Sequence, residues 1–190
     1  CATSNRPGAR FGPQAIRRAS VIFDGDPQYP SRRDPFERMA AIDWGDCGLD
    51  PAQSREAHGH VAEAAAEILA GGAHLVTLGG DHSITLPLLR AHVARHGPLA
   101  LVQFDAHQDT WGGPGQLSHG TFVNDLVAEG LILPERSIQI GIRTVAPADH
   151  GIAIVDAYEA RRLGPQQVAA AIWERVGGAP AYLSFDIDAL

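Results

Sequence analysis

Three apolar runs in this chain end the same way, in carboxylates and imidazoles: "HLVTLGGDHS" (74–83), "LALVQFDAHQD" (99–109) and "AYLSFDID" (181–188). Ionisable groups at the end of a buried strand are costly unless something at that edge compensates them. In a parallel sheet the carboxyl ends of the strands share one edge, and that edge is where such folds bind ligands. The runs are continuously apolar rather than alternating, as strands buried on both faces are. They also alternate with helical patterns, which points to an α/β protein with a mainly parallel sheet covered on both faces. The spacing predicts strands over Met39–Trp44, His74–Leu78, Leu99–Phe104, Ser137–Ile142, Ile152–Val155 and Ala181–Phe185. It predicts helices from Pro13 to about Ser20 and over Pro51–Ala70, Ile84–Arg95, Thr121–Glu129 and Pro165–Val176, with a surface loop over 24–37.

Side chains two apart on a strand share a face, so Asp105, His107 and Asp109 are expected to converge, as are Asp186 and Asp188. With Asp81 and His82 they place five carboxylates and two imidazoles along one edge. Bound divalent cations would remove the repulsion. The donors are mostly oxygen with some nitrogen and no thiolate, which favours Mn2+ ahead of Fe, Co, Zn or Mg2+. Their number is too large for one ion and suits two, bridged by carboxylate. Each motif also has a bland reading. A lone Asp-x-Asp is usually a turn or cap, and Gly-Gly-Asp-His-Ser serves equally well as a helix start capped by Ser83. Three such motifs, each after a predicted strand, are harder to explain structurally.

Composition excludes several chemistries. All 15 basic residues are Arg, so Schiff-base chemistry, pyridoxal phosphate attachment and a P-loop lysine are absent from these 190 residues. The formal charge of −7 argues against nucleic acid and is compatible with a cationic substrate. No apolar segment is long enough for a membrane span, and no signal peptide is visible. Cys1 and Cys47 are the two cysteines, too few for a disulfide framework, so a reducing cytoplasm is the expected compartment.

The motifs "GGDHS", "DAHQDT", "SHGT" and "SFDID" resemble those of the ureohydrolase family, which includes arginase, agmatinase and guanidinobutyrase. "SNRPGARFGPQAIR" (4–17), "ITLPLLRAH" and "SIQIGIRT" (137–144) resemble it too, so the likeness covers nearly the whole chain in order and is nearest to the bacterial agmatinase branch. It implies an arginase/deacetylase-like αβα fold in three layers. It implies two Mn2+ ions, one held by His82, Asp105, Asp109 and Asp186, the other by Asp105, His107, Asp186 and Asp188. It implies hydrolysis of a small cationic guanidino compound, agmatine to urea and putrescine, by a metal-bridging hydroxide that Asp109 orients. His119, in "LSHGT", matches the histidine that relays a proton to the leaving amine. Thr110 and Trp111 stand where arginases carry an Asn for the amino-acid carboxylate, which argues against L-arginine. Guanidinobutyrate and other guanidino acids remain alternatives, with Arg32 and Arg33 available to a carboxylate, and so does a non-catalytic metal-binding paralogue or assembly subunit. The loop Gly112–Ser118, with 24–37, is expected to shape the pocket mouth. The resemblance also implies a homotrimer or hexamer. Residues 1–190 are then expected to form one incomplete domain, lacking the family's first strand and a C-terminal portion that carries a guanidinium-pairing glutamate. Asp81, Asp43, Asp46, His74, His58, His60, His92, His96 and His150 are read as structural or surface groups.

Overall fold

The computed structural model describes residues 3–22, 26–27, 29–50, 56–116 and 118–190. At its centre is a wholly parallel sheet of four strands: β1 (Ala100–Phe104), β2 (Ile138–Ile142), β3 (Ala153–Asp156) and β4 (Ala181–Phe185), in the order β3-β2-β1-β4. The helices are α1 (Gly12–Ala19), α2 (Ala57–Ala70), α3 (Thr85–His96), α4 (Phe122–Ala128), α5 (Ala157–Leu163) and α6 (Pro165–Val176).

Strand β1 shows why the runs read as continuously apolar. Leu101 joins Leu86 and Leu89 of α3 and Phe122, Val123 and Leu126 of α4 in one buried cluster. Its neighbours Ala100 and Val102 join Ile138, Ile140, Val155, Val168 and Val176 in a second cluster. Successive side chains point to opposite faces, and here both faces are roofed by helices. Full burial of one such aliphatic side chain stabilises the fold by ~1.5–3 kcal/mol. The result is the expected three-layer αβα arrangement, with α3 and α4 on one face and α5 and α6 on the other.

Helix α6 spans the expected residues, and α3 is shifted by one from the expected Ile84–Arg95. Helix α2 buries Val61, Ala65 and Leu69; the start predicted for it at 51–55 lies outside the described residues. Helix α5 was not expected. Asp156 caps it by accepting from the Glu159 backbone N–H at 2.8 Å. The Asp-x-x-Glu start signal is therefore present in the sequence.

Two expected strands do not form. Residues 39–44 and 74–78 pair with no strand among the described residues, and Ile42 and Val76 are exposed. Apolar pattern is local, whereas a strand exists only when a neighbour completes its ladder of hydrogen bonds. One glycine matters to the sheet's working edge. Gly141 adopts φ +92° where the β2–β3 register shifts between Ile140 and Ile142. A Cβ there would sit 3.2 Å from the Asp105 carbonyl oxygen, so the bulge lets β2 approach the backbone at the end of β1.

Candidate metal centre

Short turns, not strand faces, deliver the ionisable groups. Asp81 caps a 3-10 turn over His82–Ile84: its Oδ1 accepts from the Ser83 N–H at 3.1 Å and from Ser83 Oγ at 2.5 Å. Asp81 is thus the cap, and Ser83, the residue expected to cap, is buried. Strand β1 ends at Phe104, and 105–109 leave it as a bend. Asp109 sits at φ +53°, a left-handed conformation uncommon for a non-glycine residue. Asp186 caps a second 3-10 turn, Ile187–Ala189, through its Oδ1 and the Asp188 N–H.

These turns bring the candidates together in two groups that share one carboxylate. His82, Asp105 and Asp109 form one, and Asp105, His107 and Asp188 the other; within each, the potential ligand atoms lie within 4.8 Å of one another. The alternation argument therefore failed in one respect. His107 and Asp109 do not share a face, because the bend and the left-handed Asp109 send them to opposite sides of Asp105. Asp186 belongs to neither tightest group, but its Oδ2 lies 3.2 Å from His82 Nδ1.

The surroundings of His82 Nδ1 test whether a cation fits. Oδ2 of Asp105 is 3.0 Å away, and Oδ2 of Asp109 and of Asp186 are each 3.2 Å away. Yet Nδ1 is buried and aligned for a hydrogen bond with none of them. An imidazole N–H can serve one acceptor in its ring plane. Three carboxylate oxygens fanned around it are placed as donors facing a common cation would be. On the far side of the ring, Nε2 bonds Ser184 Oγ at 2.7 Å, the kind of outer contact that orients the ring of a metal-binding histidine. The second group is looser: His107 Nδ1 is 3.1 Å from Asp188 Oδ2 and 3.5 Å from Asp105 Oδ1.

Crowding shifts these groups apart. Burial pushes the Asp109 carboxyl up to about 7, with repulsion from Asp105 adding to it. Burial acts on Asp105 in the same direction, but the adjacent His82 outweighs it and holds Asp105 below its ordinary value. His82 beside Asp186 lowers that carboxyl as well. For His82, burial opposes the charge and the surrounding carboxylates outweigh it, so its pKa is raised. Within one cluster the carboxyls are thus pushed in opposite directions, Asp109 up and Asp105 and Asp186 down.

His119 lies outside both groups. Its Nε2 is 3.0 Å from the Ser4 backbone N–H and 3.1 Å from Ser4 Oγ. A backbone N–H can only donate, so Nε2 is the acceptor and the ring proton sits on Nδ1. The next residue, Gly120, accepts from the Trp111 N–H at 3.1 Å, and a Cβ on it would lie 4.0 Å from Asp109 Oδ1. His119 is therefore held beside the cluster by the 4–17 segment. Trp111 meets His107 edge to face, with ring centroids 5.8 Å apart. Thr110, which stands where arginases carry an Asn, is buried and donates to the Ala148 carbonyl at 2.6 Å. The Gly-rich loop is pinned from α4: Asp125 accepts from the Gly115 N–H, and Asn124 donates to the carbonyls of Trp111 and Gly112. Leu117 in that loop lies outside the described residues.

The remaining readings divide. Asp43 and Asp46 both pair with Arg17, a structural use as expected. His58, read as a surface group, is half-buried and bonds Ser83 Oγ at 3.2 Å, and burial lowers its pKa. His150 bonds Asn124 Oδ1 at 2.7 Å and so steadies the residue that pins the loop. His92 packs edge-on against Tyr182, with centroids 5.5 Å apart. Arg32 and Arg33 are exposed, and Arg32 lies over the Tyr29 ring. Sequence reasoning missed Ser184 and Gln103. Gln103 Nε2 donates to Asp105 Oδ2 at 2.8 Å and to Asp109 Oδ2 at 3.3 Å. The available signal was a polar residue inside an apolar strand, two positions before an aspartate.

Fold and edge together define an αβα protein with a carboxylate–imidazole cluster suited to a pair of metal ions. The chain belongs to the arginase family, whose model matches residues 1–190. It is 46% identical over 188 residues to an agmatinase of Chromobacterium violaceum, covering 97% of this chain and 58% of that protein. The crystal structure of a hypothetical agmatinase from Burkholderia thailandensis superposes with a TM-score of 0.95 at 45% identity, covering 98% of this chain and 60% of that one. Proclavaminate amidino hydrolase from Streptomyces clavuligerus follows with a TM-score of 0.87 at 38% identity, covering 98% and 64%. The chain thus spans about three-fifths of the length of these relatives.

Proposed function

We propose that this chain carries the metal-binding edge of a ureohydrolase that cleaves agmatine to urea and putrescine. The fan of three carboxylate oxygens around the buried, unaligned His82 Nδ1 carries the reading. His82, Asp105, Asp109 and Asp186 would hold one Mn2+, and Asp105, His107, Asp186 and Asp188 a second. Bound there, the ions supply an activated water as nucleophile for a carbon that resonance otherwise makes a poor electrophile. Asp109 accepts a hydrogen bond from that water and aligns it with the guanidinium carbon. Water adds, the bond from that carbon to the alkyl-bearing nitrogen breaks, and this nitrogen must take up a proton. His119 relays that proton from the attacking water. Nε2, the atom that accepts from the Ser4 N–H, is the one that would take up a proton from the attacking water and hand it to the amine, while the Nδ1 proton stays in place. Trp111 covers His107 and limits water on the more open side. Relatives named agmatinase at this level of identity support agmatine over other guanidino compounds.

A homotrimer or hexamer in a reducing cytoplasm completes the reading; among the described residues no helix is long and apolar enough to cross a membrane. The test is urea release by the full chain loaded with Mn2+, across agmatine, guanidinobutyrate, guanidinopropionate and L-arginine. Agmatine should be fastest and should yield one putrescine per urea. A faster guanidino acid would reassign the substrate. Two bound ions with no urea from any compound would make this a metal-binding paralogue without activity.

A further inference from the structure

One step below the acidic edge, three polar side chains stand in register across the sheet. Gln103 on β1 is paired with Gln139 on β2 and with Ser184 on β4. All three are buried, both glutamines completely. Buried polar groups inside core strands need partners, and here the partners lead to the candidate ligands. Ser184 bonds His82, and Gln103 donates to Asp105 and Asp109. Among the described residues, Gln139 hydrogen-bonds none of the candidate ligands. Its Nε2 donates to Gln103 Oε1 at 2.9 Å and to the Gln108 backbone carbonyl at 2.8 Å.

Donor and acceptor logic gives this chain of amides a direction. A backbone carbonyl only accepts, so Gln108 dictates that the NH2 end of Gln139 points inward. That end has a second proton, which can meet only the oxygen of Gln103. The NH2 of Gln103 is then left facing the two carboxylates. Turning both amides over would set oxygen against oxygen at the Gln108 carbonyl and at Asp105. The fixed reference is the backbone between His107 and Asp109, so the bend and the amides hold one another in place. Gln139 keeps its orientation although its Oε1 has no partner among the described residues.

We infer that Gln139 is a positioning residue: acting through Gln103, it ensures that an amide NH2 faces Asp105 and Asp109 and holds their carboxylates in place around His82. The inference rests on the metal-binding reading above. It also predicts an asymmetry. Both carboxylates held by Gln103 belong to the His82 group, whereas the His107 group contains only Asp105. Disturbing the amides should weaken the ion on the His82 side more than its neighbour.

The test is Mn2+ titration of the full chain by calorimetry, with electron paramagnetic resonance to count isolated and coupled ions. The variants are Gln103→Met, Gln139→Met and the double variant. Outer-shell partners of metal ligands typically contribute 10–100-fold in affinity. Gln103→Met should therefore weaken the His82-side ion by ~10–100-fold, and Gln139→Met by about tenfold, with a smaller change at the other ion. The double variant should be no worse than Gln103→Met alone, because Gln139 acts through Gln103. If Gln139→Met does not fold, Gln139→Asn, too short to reach Gln103, carries the same expectation. Additive losses, equal losses at both ions, or a lower melting temperature with both affinities intact would overturn the inference. Fewer than two ions on the unaltered protein would instead remove the metal-binding reading on which it stands.

Discussion

On the His82 side of Asp105 the side chains are almost closed off, His82 8% and Asp109 6% exposed, while on the other side His107 is 42% and Asp188 41% exposed. The buried side rests on the sheet: Ser184 and Gln103 hold its members from strands that pair with one another. The open side rests on turns, with Asp188 Oδ1 accepting from the Ala106 N–H at 3.0 Å. The two halves of one site therefore differ in dielectric and in rigidity, and Asp105 is the group common to both. Burial strengthens electrostatics among groups that are fixed, and it makes any uncompensated charge there costly. On the proposed metal-binding reading, the tighter ion and the stronger dependence on pH are expected on the buried side.

The largest effect should come from removing what the halves share. Asp105→Ala takes a ligand from each group; neither ion should remain at stoichiometric Mn2+, and turnover should fall by ~10^4-fold or more, as when residues that act as a unit are broken. Retention of one ion by atomic absorption would show that the halves are independent. His119→Ala comes next and should leave the comparison untouched: turnover falls by ~10²–10⁴-fold with normal metal content, and added imidazole restores part of it. Loss of metal would make His119 a ligand. His107→Asn removes a ligand and should cost the open-side ion more than the ~10–100-fold typical of losing an outer partner, so that titration shows that site lost, with a much smaller change on the His82 side. Equal loss would mean strongly coupled ions.

The pH dependence sharpens the contrast by a smaller factor. A cation on the His82 side must displace the proton that Asp109 retains up to about 7. Its affinity should fall about tenfold per pH unit below that point for each proton released, and calorimetry in buffers of different ionisation enthalpy counts those protons. In the metal-free protein Asp109 binds its proton more tightly folded than unfolded. Its contribution to stability is complete below its ordinary value of 3.8 and is lost as the pH climbs to about 7. The smallest effect concerns Thr110. Thr110→Val removes one buried hydrogen bond, and denaturant unfolding should show a loss of about 1 kcal/mol with substrate preference unchanged. A changed preference would return Thr110 to the pocket.

Helix α6 and strands β1, β2 and β4 were legible because each depends on signals within its own stretch: apolar period, proline at the first turn, glycine at the end. Helix α5 carries its Asp156 and Glu159 signal equally plainly, but it follows β3 with no loop between them, which hides its start in the pattern. The chemical character of the site was legible too, since acids and histidines after apolar runs announce it without any knowledge of pairing.

The sequence by itself determined that a parallel, doubly covered sheet would gather His82, Asp105, His107, Asp109, Asp186 and Asp188 along one edge. Only the tertiary structure decided how those residues divide. The bend after Phe104 and the left-handed backbone of Asp109 part His107 from Asp109, which two-residue spacing had placed together. Only pairing set Gln103 level with Gln139 and Ser184, residues that lie 36 and 81 positions away along the chain. Only the want of a neighbouring strand among the described residues left 39–44 and 74–78 without a ladder. The physical reason is the same in each case. Local pattern specifies what a segment can become, but strand partners, register and the direction of a hydrogen bond between distant side chains are properties of contacts that exist only once the chain has closed on itself.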